Sequence, residues 1–264
     1  MSTGNLAKTS RFGQGLRVDR FRPHIFHRDY VVLCAIRDGI AGFVADHAKE
    51  LVGGTVLDFG AGDSPYAPYF AARGIKFLRA DTGEVPPGVL PIDGDGRLPL
   101  QDEAVDAIIS TQVLEHVTDV AAYLGEAWRV LRSNGLFYCS THGNHLLHRH
   151  PTDLWRWTVD GLAAELSRAG FDVETVVPRI GMLATATHHR AIALGALTRS
   201  IPLTGWLRPL IYFVSNLRML AEERMTPSRA AEAFPEILIG VARKKTPHPA
   251  TSRPASQKPN GDLS

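Results

Sequence analysis

"GGTVLDFGAGDSPY", Gly53 to Tyr66, sets the reading of everything around it. Thr55 to Phe59 is a short apolar run of the kind buried in a sheet. It leads into Gly60-Ala61-Gly62. Two glycines so placed let the backbone turn sharply and approach a ligand closely. "YAPYFAARG" then has helical spacing and stops at Gly74. "IKFLRAD" follows as a second strand, with Asp81 at its carboxyl end.

The same alternation extends outward. Tyr30 to Leu51 carries apolar groups at helical spacing and predicts a helix ahead of the sheet. Gly88 to Ile92 is a weak third strand, and Val105 to Ser110 a stronger fourth. In "DVAAYLGEAWRVLRSNG", Val120, Tyr123, Leu124, Ala127, Val130 and Leu131 share one helical face, and Asn134-Gly135 is the expected stop. "LFYCST" reads as a strand. Thr158 suits the N-cap of a helix over Val159 to Ala169, with Asp160 in its first turn and Gly170 closing it. "FDVETVV" and "EILIGVA" are two further strands. Strands alternating with helices predict an α/β fold with a mostly parallel sheet and helices on both faces.

In such a sheet, ligands bind outside the carboxyl ends of the strands. Asp58, Gly60, Asp81 and Ser110-Thr111 would meet there. A carboxylate at Asp81 can accept both hydroxyls of a ribose; the plainer alternative is a surface cap or turn. A dinucleotide fingerprint wants a third glycine. The chain has Pro65 near that point, with no N–H for a pyrophosphate, and it has no GKS or GKT loop. A cationic nucleoside therefore suits the turn better than a phosphate ligand, and a nicotinamide oxidoreductase is disfavoured.

Composition narrows the partners. The chain has 264 residues, is 44% hydrophobic and carries a net charge of +2. Five basic residues against one acid lie from Arg243 onward, so the rest is slightly acidic. That is no footprint for nucleic acid. Cys34 and Cys139 lie in apolar surroundings and suit free thiols in a cytoplasmic protein. No run reaches the roughly 18 apolar residues of a spanning helix. The expected organisation is an N-terminal extension (1–29), a domain (30–242) containing a helical insertion (179–235), and a disordered Pro/Ser-rich tail (243–264).

Four segments, "VLDFGAGDSPY", "LPLQDEAVDAIISTQVLEHV", "AWRVLRSNGLFYCST" and "GLAAELSRAGF", together resemble the class I S-adenosylmethionine-dependent methyltransferases, from about Thr55 to Val177. The resemblance implies a Rossmann-like, seven-stranded sheet with an antiparallel last strand, and S-adenosylmethionine as cofactor. It implies that Gly60 and Gly62 line the methionine part, Asp58 holds the amino group and Asp81 binds the ribose. Asp95, in preference to Asp93, would contact the adenine, and Gln112 would contact the cofactor from the loop after the fourth strand. Ser64 stands where many relatives have a third glycine. Glu115-His116 belongs to the family's "LEHV" segment, as an acid–base pair or, in the preferred reading, as scaffold.

"THGNHLLHRHPTDLWRWT", Thr141 to Thr158, begins at the carboxyl end of the fifth strand. It is thus placed as the acceptor-side wall. "HPTDLWRWT" resembles bacterial methyltransferases associated with glycan and secondary-metabolite pathways, through His148, Pro151, Asp153, Arg156 and Thr158; His150 is additional. Asp153 and Arg156 either set the loop or hold polar groups of the substrate. Of Trp155 and Trp157, one is expected in the pocket and one in the core. His142, and second His148, are the candidate bases for a hydroxyl acceptor. No metal site is expected: structural zinc sites recruit thiolates, catalytic ones need ligands converging from rigid positions, and neither cysteine falls in such a pattern.

The insertion contains "GWLRPLIYFVSNLRMLAEE" and reads as a substrate lid, with a dimer contact or a membrane-facing patch over 206–220 as alternatives. The chain is expected to act as a monomer or homodimer. The leading function is O-methylation of a sugar, glycan or related natural product. The alternatives are N- or C-methylation of a small ring compound, and a non-catalytic binding module.

Overall fold

The computed structural model describes residues 19–149 and 152–245. His150, Pro151, the first part of the N-terminal extension and the tail from residue 246 lie outside the described residues.

The strands are β1 (Thr55–Phe59), β2 (Lys76–Thr82), β3 (Leu90–Ile92), β4 (Val105–Thr111), β5 (Leu131–His142), β6 (Phe171–Arg179) and β7 (Ile237–Lys244). They form one sheet in the order β3-β2-β1-β4-β5-β7-β6. All pairings are parallel except those of β7, which runs antiparallel to both β5 and β6. The alternation of side chains along each strand splits the core in two. Val56, Ile109, Tyr138 and Ile239 face one layer, and Leu57, Ile108, Phe137 and Leu238 the other. The first layer includes α1 (Tyr30–Asp46) and α3 (Ala67–Ala71); the second includes α4 (Val120–Val130) and α5 (Val159–Arg168).

Two boundaries differ from the sequence reading. The first helix breaks at His47, and α2 (Ala48–Leu51) follows it. The helix expected to reach Asn134 ends at Val130, because Leu131 already pairs with Val105 at the start of β4. Asn134, at φ 63, and Gly135 make a bend inside β5 rather than a helix stop. A Cβ on Gly135 would sit 2.9 Å from the Asp106 carbonyl oxygen, so that approach requires glycine. Thr158 caps α5 as expected, its Oγ1 accepting the Gly161 N–H at 2.9 Å.

The insertion is helical: α6 (Met182–Ser200), a 3-10 turn (Gly205–Leu207), α7 (Arg208–Met225) and α8 (Ser228–Ala233). Its base is anchored in the core by Ala184 and Met219. Its far end is exposed and apolar, with Leu203 93% and Trp206 73% exposed.

Candidate active site

Gly60 turns away from β1 at φ 86, and its N–H and that of Ala61 both bond to the Ala80 carbonyl at 2.9 Å. The turn is thereby fastened to β2. A Cβ on Gly60 would lie 2.6 Å from a Val113 methyl. Gly62, at φ 53, has nothing within 4 Å of the place its Cβ would take. One glycine fits close packing, and the other faces open space at the strand ends.

Asp81 closes this turn from the other side. Its Oδ2 accepts the Gly62 N–H and its Oδ1 the Thr82 N–H, each at 2.8 Å. Each oxygen keeps a second lone-pair direction for a ligand. Asp58 is 4% exposed, and burial pushes its pKa up to about 7. A cationic group beside it would hold it ionised. Gln112 sits at φ 55 with its Nε2 bonded to Ser140 Oγ, while its buried Oε1, like Thr111 Oγ1, has no hydrogen-bond partner. Buried polar atoms are normally satisfied, so the orphans at the end of β4 fit a ligand. In the turn after β3, Asp93 Oδ1 accepts the Asp95 and Arg97 N–H groups, and both aspartates are exposed. Ser110 is structural: its Oγ meets the Tyr123 hydroxyl at 2.8 Å, and that hydroxyl donates to the Phe59 carbonyl.

The histidine segment is stitched over the loop after β4. The Leu154 N–H bonds to the Glu115 carbonyl at 2.7 Å, the Trp155 indole to the Val117 carbonyl at 2.8 Å, and the Trp157 N–H to the His142 carbonyl at 3.0 Å. His116 Nδ1 bonds to the Thr152 carbonyl, and Thr152 Oγ1 donates back to the His116 carbonyl. Glu115 is fully buried, accepts from Thr141 Oγ1 at 2.8 Å, and is pushed up to about 7 by burial. These bonds tie Glu115 and His116 to the histidine segment.

Asp153 and Arg156 form a bidentate pair at 2.6 and 2.7 Å, and Asp153 also accepts the His148 N–H. Arg156 reaches on to the carbonyls of His145 and Leu146. The guanidinium holds the Asp153 carboxyl well below its usual range. Trp155 is 41% exposed, whereas Trp157 packs against the core.

His142, His145 and His148 converge. His142 stacks on His145 at 4.2 Å between ring centroids, and His148 meets His142 edge-on at 4.7 Å. Burial, then the neighbouring His145 and His148, hold His142 well below its ordinary pKa. Burial also lowers His148. The sequence reading did not single out Glu236, the hub on the other side. Fully buried, it accepts from His145 Nδ1 at 2.8 Å and from His188 Nδ1 at 2.6 Å, and His188 Nε2 lies 3.2 Å from Asp29 Oδ1. The available signal was an acid placed immediately before the apolar run of "EILIGVA".

A family model described as a methyltransferase domain matches residues 27–176. The chain belongs to the class I S-adenosylmethionine-dependent methyltransferase family. The chain is 35% identical over 131 residues to a probable S-adenosylmethionine-dependent methyltransferase of Mycolicibacterium smegmatis, covering 46% of this chain and 44% of that protein. It is 33% identical over 138 residues to a ubiquinone biosynthesis O-methyltransferase of Paramagnetospirillum magneticum, covering 46% and 55%. The chain spans about half the length of the curated relatives it matches. Its fold matches a solved structure of a putative sarcosine dimethylglycine methyltransferase from Galdieria sulphuraria, with a TM-score of 0.54 and 13% identity over 81% of this chain and 86% of that one. S-adenosylmethionine is the methyl donor of the family, and the glycine turn, Asp58, Asp81 and the orphaned acceptors at the end of β4 fit it.

Proposed function

We propose that the protein is an S-adenosylmethionine-dependent O-methyltransferase acting on a hydroxyl of a sugar, glycan or related natural product. One observation carries this reading. Leu154, Trp155 and Trp157 hold the described end of the histidine segment, by bonds to Glu115, Val117 and His142, beside the strand ends that fit the cofactor. Bound there, the cofactor supplies an electrophilic methyl group. The protein's work is to align an acceptor oxygen, exclude water and take up a proton.

Asp58, Gly60, Gly62 and Asp81 would hold the donor, with Gln112 and Asp95 at its adenosine side. The exposed Trp155 offers a flat apolar face for a sugar ring, and the Asp153–Arg156 pair keeps the loop in shape for it. His142 is buried and His148 half-buried, with its Nδ1 3.3 Å from Asp153 Oδ2. Both have lowered pKa values and are neutral at pH 7, as a proton acceptor must be.

The test is a donor-dependent search, by mass spectrometry, for products one methylene heavier across glycans, phenols, small amines and ring compounds. O-methylated products are expected, and His142→Ala or His148→Ala should each lower kcat about 100-fold with cofactor binding retained. Products confined to amines or ring carbons overturn the O-methyl reading. S-adenosylhomocysteine binding without any transfer favours a binding module.

The exposed end of the helical insertion supports contact with an anionic membrane surface, suited to a lipid-linked acceptor. Leu203, Trp206, Leu210, Val214 and Leu217 are exposed there, with Arg199, Arg208 and Arg218 nearby in the chain. No helix among the described residues is long and apolar enough to cross a membrane. The wild-type protein should co-sediment with anionic phospholipid vesicles, and Trp206→Glu should reduce this at least threefold. A protein that stays in the supernatant and elutes as a dimer would make this face an interface between copies instead.

A further inference from the structure

We propose that the histidine loop after β5 is a cation site: His142, His145 and His148 bind one divalent transition metal of the zinc class, leaving a coordination position for an acceptor oxygen. The proposal rests on the acceptor-side reading of that loop. One ring nitrogen from each of the three residues lies within 4.8 Å of the others. The rings are 4.2, 4.7 and 5.4 Å apart between centroids. Histidines scattered through a chain do not meet this way by helical or strand periodicity. Here one is the last residue of a strand and the other two sit on the loop that turns back against it.

The surroundings of the rings point the same way. A ligating histidine normally gives its second ring nitrogen to a carboxylate or carbonyl, which fixes the ring. His145 Nδ1 is 2.8 Å from Glu236 Oε1, His148 Nδ1 is 3.3 Å from Asp153 Oδ2, and His142 Nε2 is 3.4 Å from Glu115 Oε1. Each of the three rings thus has a carboxylate beside one nitrogen. All three carboxylates have buried side chains. The other nitrogen of His142, Nδ1, is buried without a hydrogen-bond partner in a ring only 4% exposed. Leaving such an atom unsatisfied is costly. A cation removes that cost.

The donor set selects the metal class. Three imidazoles without a thiolate suit zinc and its neighbours, and three protein ligands with one open position are the pattern of catalytic rather than structural sites. Tetrahedral ligands at about 2.0–2.1 Å stand roughly 3.4 Å from one another. The three rings must therefore draw in slightly. His145 and His148, on the loop, supply that movement while β5 holds His142. Two other candidate groups share these ligands: His145 with His189 and Glu236 uses a carboxylate already shared with His188, and His148 with Glu115 and His116 uses a His116 already bonded to the Thr152 carbonyl.

The cation gives a definite role in the reaction. An acceptor hydroxyl in the open position loses its proton to solvent. Its oxygen then bonds to the methyl carbon as that carbon's bond to the sulfonium sulfur breaks. The products are the methyl ether, S-adenosylhomocysteine and one proton. His142 and His148 then act as ligands, and the metal replaces a histidine base.

The test uses the untagged full chain, stripped with a chelator and titrated with Zn2+ by calorimetry and with Co2+ by visible absorption. One equivalent should bind, with the intense d–d bands of tetrahedral Co2+. His142→Ala, His145→Ala and His148→Ala should each weaken binding at least 30-fold and remove those bands, whereas the exposed His24→Ala should do neither. Should a variant fail to fold, the wild type decides: Zn2+ should protect the three histidines from diethylpyrocarbonate, read by peptide mass. No saturable binding, or binding that ignores all three residues, overturns the proposal. So does full-rate O-methyl transfer by metal-free protein, which leaves the O-methyltransferase reading intact. Metal held by the three histidines with transfer only to amines or carbons has the opposite meaning: the site stands and the acceptor reading fails.

Discussion

Asp81→Ala should weaken S-adenosylhomocysteine binding about 10- to 100-fold, the loss expected for roughly 1.5–3 kcal/mol of hydrogen bonding to a charged group. The carboxylate has two tasks. It holds the glycine turn through the Gly62 N–H and, by its remaining lone pairs, would accept the ribose hydroxyls. Asp81→Asn separates them. An amide oxygen can still accept from Gly62, so the turn survives while the charge-assisted bonds to ribose are lost. Its affinity should fall between those of the wild type and Asp81→Ala. Gly62→Val approaches the same site from the ligand's side. Its side chain would enter space that nothing occupies within 4 Å, and its positive φ costs about 1–3 kcal/mol for a branched residue. Cofactor binding should fall more than 100-fold while the protein stays folded at 25 °C. Calorimetric titration checks all three. An unchanged affinity in Asp81→Ala removes the ribose role, and a Gly62→Val protein that binds normally moves the cofactor away from the turn.

The strand and helix order was legible because local signals carried it. The buried run of β1, the paired glycines, the N-cap at Thr158 and the stop at Gly170 each act over a few residues, and each falls where it was expected. The end of α4 was not legible for a non-local reason. Leu131 continues the helical apolar face, yet its partner Val105 lies in β4, and pairing there outweighs another helical turn. The residues proposed for the cofactor lie at the ends of β1, β2 and β4, which parallel pairing brings into register. On the acceptor side the sequence named His142, His148, Asp153, Trp155 and Arg156, but not how the histidine rings meet. Their meeting depends on Glu236, 91 residues from His145 in the chain, and on backbone bonds from Gly143 and Asn144 to Glu236 and Pro235. A Cβ on Gly143 would collide with the Pro235 carbonyl, so this junction requires glycine.

His188→Ala should destabilise the fold by on the order of 3–5 kcal/mol, the cost of breaking a buried ion pair from one side. For a chain of this size that is roughly a 10 °C fall in Tm. His188 is fully buried between Asp29 and Glu236, and it ties the N-terminal segment, α6 and the start of β7 together. Burial alone would lower its pKa, but the hydrogen bond to Asp29 and the bond and charge of Glu236 prevail and raise it to about 9. Burial likewise works against ionising Asp29 and Glu236, yet their histidine partners, with Arg28 beside Asp29, hold both below the ordinary value. The pH dependence follows from these directions. The raised histidine contributes stability that is whole below pH 6.5 and is lost as pH climbs through about 9. The depressed carboxylates contribute stability that is present above about pH 4.5 and is lost as pH falls through their folded values. Wild-type stability from this network should therefore be greatest near pH 5–6 and decline between pH 6.5 and 9. His188→Ala should flatten the alkaline decline, which urea unfolding at a series of pH values reads directly. A variant with the wild-type slope over that range would show that His188 is neutral in the folded protein. Glu236→Gln tests the link to the acceptor loop. A neutral amide leaves His188 charged with only Asp29, and His145 loses the carboxylate that fixes its ring. Its stability loss should be non-additive with that of His188→Ala by about 0.5–3 kcal/mol, and transfer activity should fall along with it. If stability falls and activity does not, Glu236 supports the fold alone, and the orientation of His145 does not matter to the reaction.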